Sequence, residues 1–252
     1  MFVDFGAIYV LWLRQVKKYF RSKARIVGSL GQPLLFLIAL GFGLGPLVSN
    51  VNGESYLNFI TPGIIAMSIL FTAMFSGIEV IWDRQFGFLK ETLVAPVSRI
   101  QIMFGRTLGG ATVATIQGII VLILATFLGF TITNLLFVPV AIIFMFIIAL
   151  LFTTLGTAIA SLLEDMQGFQ LIINFVIMPL FFLSSALFPI DNLPGALGFV
   201  TRLNPLTYGV NGLREALTGT IQTGIPLDLT VIIVVTIALL VIGSKLFSRI
   251  QL

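Results

Sequence analysis

The residue types from which active sites are usually assembled are almost missing from this sequence. Its 252 residues include no histidine and no cysteine. That removes the commonest general base near neutral pH, thiol chemistry, disulfides and the usual transition-metal ligands. Glu164 and Asp165 form an adjacent carboxylate pair. A hard cation takes about 6–8 oxygens, so this pair reads as a solvated turn rather than a metal site. No G-x-x-x-x-G-K-[ST] phosphate loop occurs; Gly243, Ser244 and Lys245 only close an apolar run. No catalytic residue, metal ligand or cofactor is therefore assigned to the chain. What remains is charge in an unexpected place. The stretch DRQFGFLKETLVAPVSRIQ, residues 83–101, lies between two long apolar runs. Phe86, Leu89, Leu93 and Val97 recur at helical spacing, while Arg84, Lys90 and Glu91 fall off that stripe. Pro96 ends the pattern, because the residue before a proline is pushed out of the helical region. The expectation is a short amphipathic helix over 83–100, since a plain connection needs neither the stripe nor the length.

The elements that must carry this helix follow from composition. Hydrophobic residues make up 58% of the chain and charged residues 10%, with mean hydropathy +1.12. A soluble domain carries about 25% charge, so most of this chain belongs in lipid. Its apolar runs are continuous, which selects helices over a barrel. Six segments approach the roughly 20 residues a bilayer needs: about 26–47, 58–82, 107–130, 135–161, 168–188 and 229–247. Six crossings place both termini on one side. Arg14, Lys17, Lys18, Arg21, Lys23, Arg25, Arg84, Lys90, Arg99, Arg106, Lys245 and Arg249 then share a face, against only Arg202 and Arg214 opposite. The positive-inside rule makes that basic face cytoplasmic. The formal charge of +4 is thereby explained by anionic headgroups rather than nucleic acid. The expectation is a multi-pass protein of the cell membrane with both termini inside. The basic N-terminal stretch lacks a small-residue cleavage site after its hydrophobic run and reads as retained.

Two further pieces are not spans. In FGAIYVLWLRQVKKYF, Phe5, Tyr9, Trp12, Val16 and Tyr19 line one helix face, and Arg14, Lys17, Lys18 and Arg21 fall mostly elsewhere. Aromatics opposite cations describe a helix lying in the membrane interface, over about 1–25. Residues 189–226 are too polar to span and too apolar for a free loop. Pro194, Asn204 and Pro205 punctuate them, predicting short helices over 195–203 and 207–218 that dip back into the outer leaflet. Pro33, Pro62, Pro139 and Pro179 lie within spans, where membrane helices tolerate them. Gly109, Gly110 and Ala111 permit close helix packing. Glu79 is the acid nearest a span interior. So few intramembrane charges weigh against proton coupling.

Taken in order, the basic amphipathic N-terminus, WDRQFGFLKETLVAPVSRIQIMFGR and FPIDNLPGALGFVTRLNPLTYGVNGLREALTG resemble the ABC-2 type permeases, especially their daunorubicin-resistance, drug-exporting branch. The resemblance covers essentially the whole chain. It implies an all-α type V-like membrane domain over 1–252, with six transmembrane helices: spans one and two within 26–82, spans three to five within 101–188, and span six within 227–252. It implies a cytoplasmic coupling helix whose contacts are Arg84, Phe86, Gly87, Leu89, Lys90, Glu91, Leu93 and Pro96. Trp12, Lys17, Lys18 and Arg21 correspond to the connecting helix. Asn204, Pro205, Leu206, Tyr208 and Arg214 match the outer closing region, and Thr72, Phe75, Asn174 and Phe182 correspond to pathway-lining positions. A cognate ATP-binding cassette ATPase would bind ATP and magnesium, and a second permease copy would complete the membrane part, more readily a homodimer than a heterodimer. Spans with almost no charge suggest an amphipathic cargo, a drug, lipid or lipid-linked glycan, and the exporter resemblance implies that it moves outward. An ion-coupled transporter and a non-transporting membrane assembly factor are the alternative readings.

Overall fold

A chain this apolar must satisfy its backbone internally, and helices do so within each segment. The computed structural model describes residues 5–47, 55–88, 92, 94, 97–189 and 194–248, and its regular structure is entirely helical among those residues. In chain order the helices are α1 (Phe5–Arg21), α2 (Lys23–Gly43), α3 (Tyr56–Ser76), α4 (Ile78–Gln85), α5 (Arg99–Phe127), α6 (Val138–Leu162), α7 (Met166–Phe182), α8 (Gly195–Leu203), α9 (Pro205–Thr218) and α10 (Ile225–Ser248). A 3-10 turn, Leu135–Phe137, leads into α6.

Many helix ends are written in local sequence. Ser98 and Gln101 form a reciprocal capping box at the start of α5. Asp165 accepts from the Gly168 amide at 2.6 Å and starts α7. Asn204 caps α9 with Pro205 at its first position. Gly219, at φ 80°, closes α9 in the left-handed conformation that glycine adopts freely.

Helix α3 is the centre of the bundle. Every residue from Phe59 to Leu70 is buried, and α2, α5, α6, α7 and α9 pack against it. Helices α3 and α4 run on as one 30-residue apolar stretch, Tyr56–Gln85, interrupted only at Gly77. A Cβ on Gly77 would strike the Gly156 carbonyl oxygen of α6, and a Cβ on Gly156 would strike the Met74 carbonyl. The two helices therefore touch backbone to backbone, the close approach that small residues permit in membranes. Gly110 repeats the device against Thr153 and Ser76.

Among the described residues, five helical stretches have the length and composition to cross a bilayer: Lys23–Gly43, Tyr56–Gln85, Arg99–Phe127, Leu135–Leu162 and Ile225–Ser248. The expected fifth crossing, 168–188, is shorter than predicted, because α7 has 17 residues and stops at Phe182. At about 1.5 Å per residue it spans roughly 25 Å, against a hydrocarbon core of about 30 Å. The chain turns at Ser184, whose amide and hydroxyl both bond the Phe181 carbonyl. Around the charged interruption the helices reach further than expected. Asp83, Arg84 and Gln85 form the last turn of α4, and α5 begins at Arg99 rather than near 107.

Candidate functional site

The charged end of the bundle is held by two buried carboxylates one helical turn apart. Asp83 is 4% exposed. It accepts from Arg14 of α1 at 3.1 and 3.2 Å and from Arg106 of α5, itself buried. Glu79, also buried, accepts from Arg25 of α2 at 3.0 Å and pairs with Lys18 of α1 at 3.3 Å. Each carboxylate thus holds two cations, and four helices meet at one clamp. The burial of such charges is tolerable only with this pairing. Lys18 also lies 5.4 Å from the Trp82 ring, and Arg14 5.7 Å from that of Phe88.

The geometry of α1 makes the clamp possible. Gly105 and Gly109 leave a groove on α5, where a Cβ would meet Leu11 and Ile8 at one position and Gln15 and Trp12 at the other. Trp12 Nε1 donates to Thr112 Oγ1 at 3.0 Å. The aromatic stripe of α1 does not face one medium: Phe5 and Tyr9 are exposed while Tyr19 is buried. Tyr19 donates its hydroxyl to Gln117 Oε1 at 2.6 Å, and burial pushes its phenol above the ordinary value. Lys17 and Arg21 stay exposed, and with Arg14, Lys18 and Ser22 they line a basic groove of about 500 Å³.

Beyond the clamp the chain leaves the membrane helices. Arg84 pairs with Glu164 at 2.8 Å. The Glu164 side chain is 79% exposed, so this pair contributes at most about 1 kcal/mol. Gln85 donates to the Glu164 carbonyl at 3.1 Å. The adjacent acids are accordingly used as a cap (Asp165) and a surface ion pair (Glu164). Phe86 caps α4 and is 72% exposed, and Gly87 turns the chain with φ 83°. Leu89, Lys90, Glu91, Leu93 and Pro96 lie outside the described residues. Phe88, Thr92 and Val94 are helical, and Thr92 Oγ1 donates to the Phe88 carbonyl at 2.8 Å, one turn back. Phe88 and Val94 are exposed, whereas Val97 packs against the core. The predicted stripe therefore divides, with Phe86 outward and Val97 inward. Phe88 and Val94 join the exposed apolar surface, and no periodicity in the sequence singled them out.

Next to the clamp a cavity of about 350 Å³ opens between α1, α2, α3, α4 and α5. Its lining includes Tyr19, Arg25 and Glu79 as well as the apolar Pro33, Met67 and Phe71. Thr72 and Phe75 line it as well. Asn174 and Phe182, grouped with them by sequence, lie on exposed positions of α7 and take no part in this cavity.

At the far end of α3 the outer candidates act as ties. Asn204 donates to the Leu180 and Leu183 carbonyls at 2.6 and 3.1 Å, fixing α9 to the end of α7. Leu206 is buried, and Tyr208 donates to the Arg202 carbonyl at 2.8 Å. Arg214 is fully buried. It donates to the Phe59 carbonyl at 3.2 Å and the Ser185 carbonyl at 2.8 Å, and stands 4.2 Å from the Phe59 ring.

A bundle of membrane-length helices, clamped through a basic N-terminal helix and offering exposed aromatics at one end, fits a transporter's membrane subunit. Residues 6–218 match the family described as ABC-2 type transporter, and the chain belongs to that family. It is a non-enzymatic membrane permease subunit, and the ATPase of such a transporter is a separate subunit. Among curated relatives, it is 32% identical to the transport permease ycf38 of Cyanophora paradoxa, covering 82% of this chain and 72% of that one. It is 32% identical to nodulation protein J of Rhizobium meliloti, over 78% and 75% of the two chains. It is 25% identical to the inner membrane transport permease YadH of Escherichia coli, over 96% and 95%.

Proposed function

We propose that this chain is the permease of an exporter and that it takes up the ATPase's motion through residues 84–96. The observation that carries this reading is the exposed apolar surface of Phe86, Phe88 and Val94, joined through Arg14 and Asp83 to α1, α4 and α5. Exposed aromatics of this kind mark interaction sites. ATP and magnesium belong to the partner. ATP binding draws two motor subunits together, the clamp transmits the displacement, and the helices around the cavity rearrange. The differential contact that such a change requires is the motor's grip on 84–96. The basic end faces the cytoplasm of the cell membrane, and α7 with residues 183–189 completes a sixth crossing. Asn204–Tyr208 and Arg214 close the outer end.

The 350 Å³ cavity, lined by charged and apolar side chains together, suits an amphipathic cargo such as a drug, a lipid or a lipid-linked glycan. Two permease copies, most simply identical, form the membrane part. Phe86→Asp combined with Phe88→Asp tests the reading, because both side chains are exposed and the fold should survive. The expected result is a monodisperse permease that no longer co-purifies with its ATPase and no longer transports. Retained assembly and transport would refute the coupling assignment.

A further inference from the structure

The clamp leaves an excess of positive charge at its end of the bundle. Arg14, Lys17, Lys18, Arg21, Arg25 and Arg106 gather there around only two carboxylates, Asp83 and Glu79. Arg14, Lys17, Lys18 and Arg21 recur at the three- and four-residue spacing that keeps side chains on one face of a helix. With Ser22 they line the basic groove of about 500 Å³. Among the described residues no carboxylate pairs with Lys17 or Arg21, and both side chains are exposed. Arg14 and Lys18 reach the clamp with 40% and 36% of their side chains still exposed. The Ser22 side chain makes no capping bond to α2, so its hydroxyl is not spent there.

The groove lies at a defined depth. Helix α2, which starts at Lys23 directly after Ser22, has the length and composition of a membrane span. The basic end of a span sits among the headgroups, so the groove opens at the level of the lipid phosphates. Phe20 and Val27, on either side of Ser22 in the chain, are exposed apolar side chains that lipid tails would cover. We propose that the groove binds the phosphate of one anionic phospholipid, held chiefly by Lys17 and Arg21, with the Ser22 hydroxyl as a further donor. A guanidinium fork matches two phosphate oxygens, and an ammonium adds a compact charge. General attraction of a basic segment to an anionic leaflet needs no concavity and has no stoichiometry. This site takes one headgroup and rejects a zwitterionic one, whose own ammonium meets the same cations. Because Arg14 and Lys18 belong to both groove and clamp, the bound phosphate offsets the clamp's surplus charge and stabilises it. An acidic protein surface would match the charge, but the depth and the flanking apolar side chains favour lipid.

The test is native mass spectrometry of the purified chain in neutral detergent with added phosphatidylglycerol or phosphatidylcholine, and thermal unfolding in parallel. One phosphatidylglycerol retained per chain and a raised Tm are expected, with neither effect from phosphatidylcholine. Lys17→Gln combined with Arg21→Gln should weaken retention about 30-fold, at the usual contribution of a basic residue near an anionic surface, and abolish the Tm rise. Equal retention of the two lipids, or unchanged retention by the double variant, would overturn the site. So would a Tm rise from sn-glycerol 3-phosphate as large as that from phosphatidylglycerol, since the ligand would then be a free phosphate. If the double variant retains the lipid but loses its ATPase, the groove belongs to that protein instead. Should the variant fail to fold, salt decides with the unaltered chain. The Tm rise should shrink between about 0.05 M and about 0.5 M salt, and a rise indifferent to salt refutes a charge-based site.

Discussion

Asp83 shows how one residue can have two very different neighbourhoods in sequence and in space. In the chain it belongs to a charged interruption. In the fold it is buried between Arg14, 69 positions away, and Arg106, 23 positions away. Removing one member of a buried pair leaves the other charge uncompensated, at a cost of about 3–5 kcal/mol. Asp83→Asn should therefore lower stability by about that amount, with Arg106 stranded, while Glu164→Gln at the surface should change it by at most about 1 kcal/mol. Replacing the pair together, Asp83→Leu with Arg106→Met, should recover most of the loss. Thermal or denaturant unfolding of the purified chain measures all three. Transport should remain impaired in the double variant, because an apolar pair cannot hold Arg14.

At the scale of helices, close approach is set by individual glycines. Gly156→Ala puts a methyl group against the Met74 carbonyl and must push α6 from α3, with an expected loss of about 1–3 kcal/mol, as for overpacked cores. Gly28→Ala in α2 meets nothing within 4 Å, and by helix propensity it should be neutral or stabilising by up to about 1 kcal/mol. Opposite shifts in the melting transition are the expected readout. The helices themselves were largely legible. The punctuation by Pro194, Asn204 and Pro205 predicted helices at 195–203 and 207–218, and the chain forms Gly195–Leu203 and Pro205–Thr218. Such signals are local: a cap needs only its next three residues. The early stop of α7 at Phe182 was not legible, since apolarity continues past Ser184 and Ser185. Nor were the partners of Glu79 and Asp83, because no rule of spacing links residues so far apart. No periodicity in the sequence singled out Asp228, which is fully buried.

For the whole molecule, the absence of native cysteine makes topology directly measurable. Lys17→Cys on α1 and Thr133→Cys beyond α5 are exposed positions near opposite ends. In intact cells an impermeant maleimide should label Thr133→Cys alone, and a permeant one should label both. The reverse pattern would invert the orientation. Family membership and hydropathy were open to sequence reading, because each depends on composition or contiguous motifs. The cavity was visible only in part: Thr72 and Phe75 line it, but Arg25, Tyr19 and Glu79 come from three separate helices. One consequence follows from the α3–α4 rod. It is braced by the Gly77–Gly156 backbone contact, roughly 9 Å from Asp83 and roughly 27 Å from Phe59 at about 1.5 Å per residue. Taken as a fulcrum, that contact makes the rod a lever with arms of about one to three. A displacement of about 1 Å at Asp83 would swing the Phe59 carbonyl, and Arg214 bound to it, about 3 Å in the opposite direction. The two ends of the permease would then move as a seesaw, and the far end would travel further than the end that is pushed.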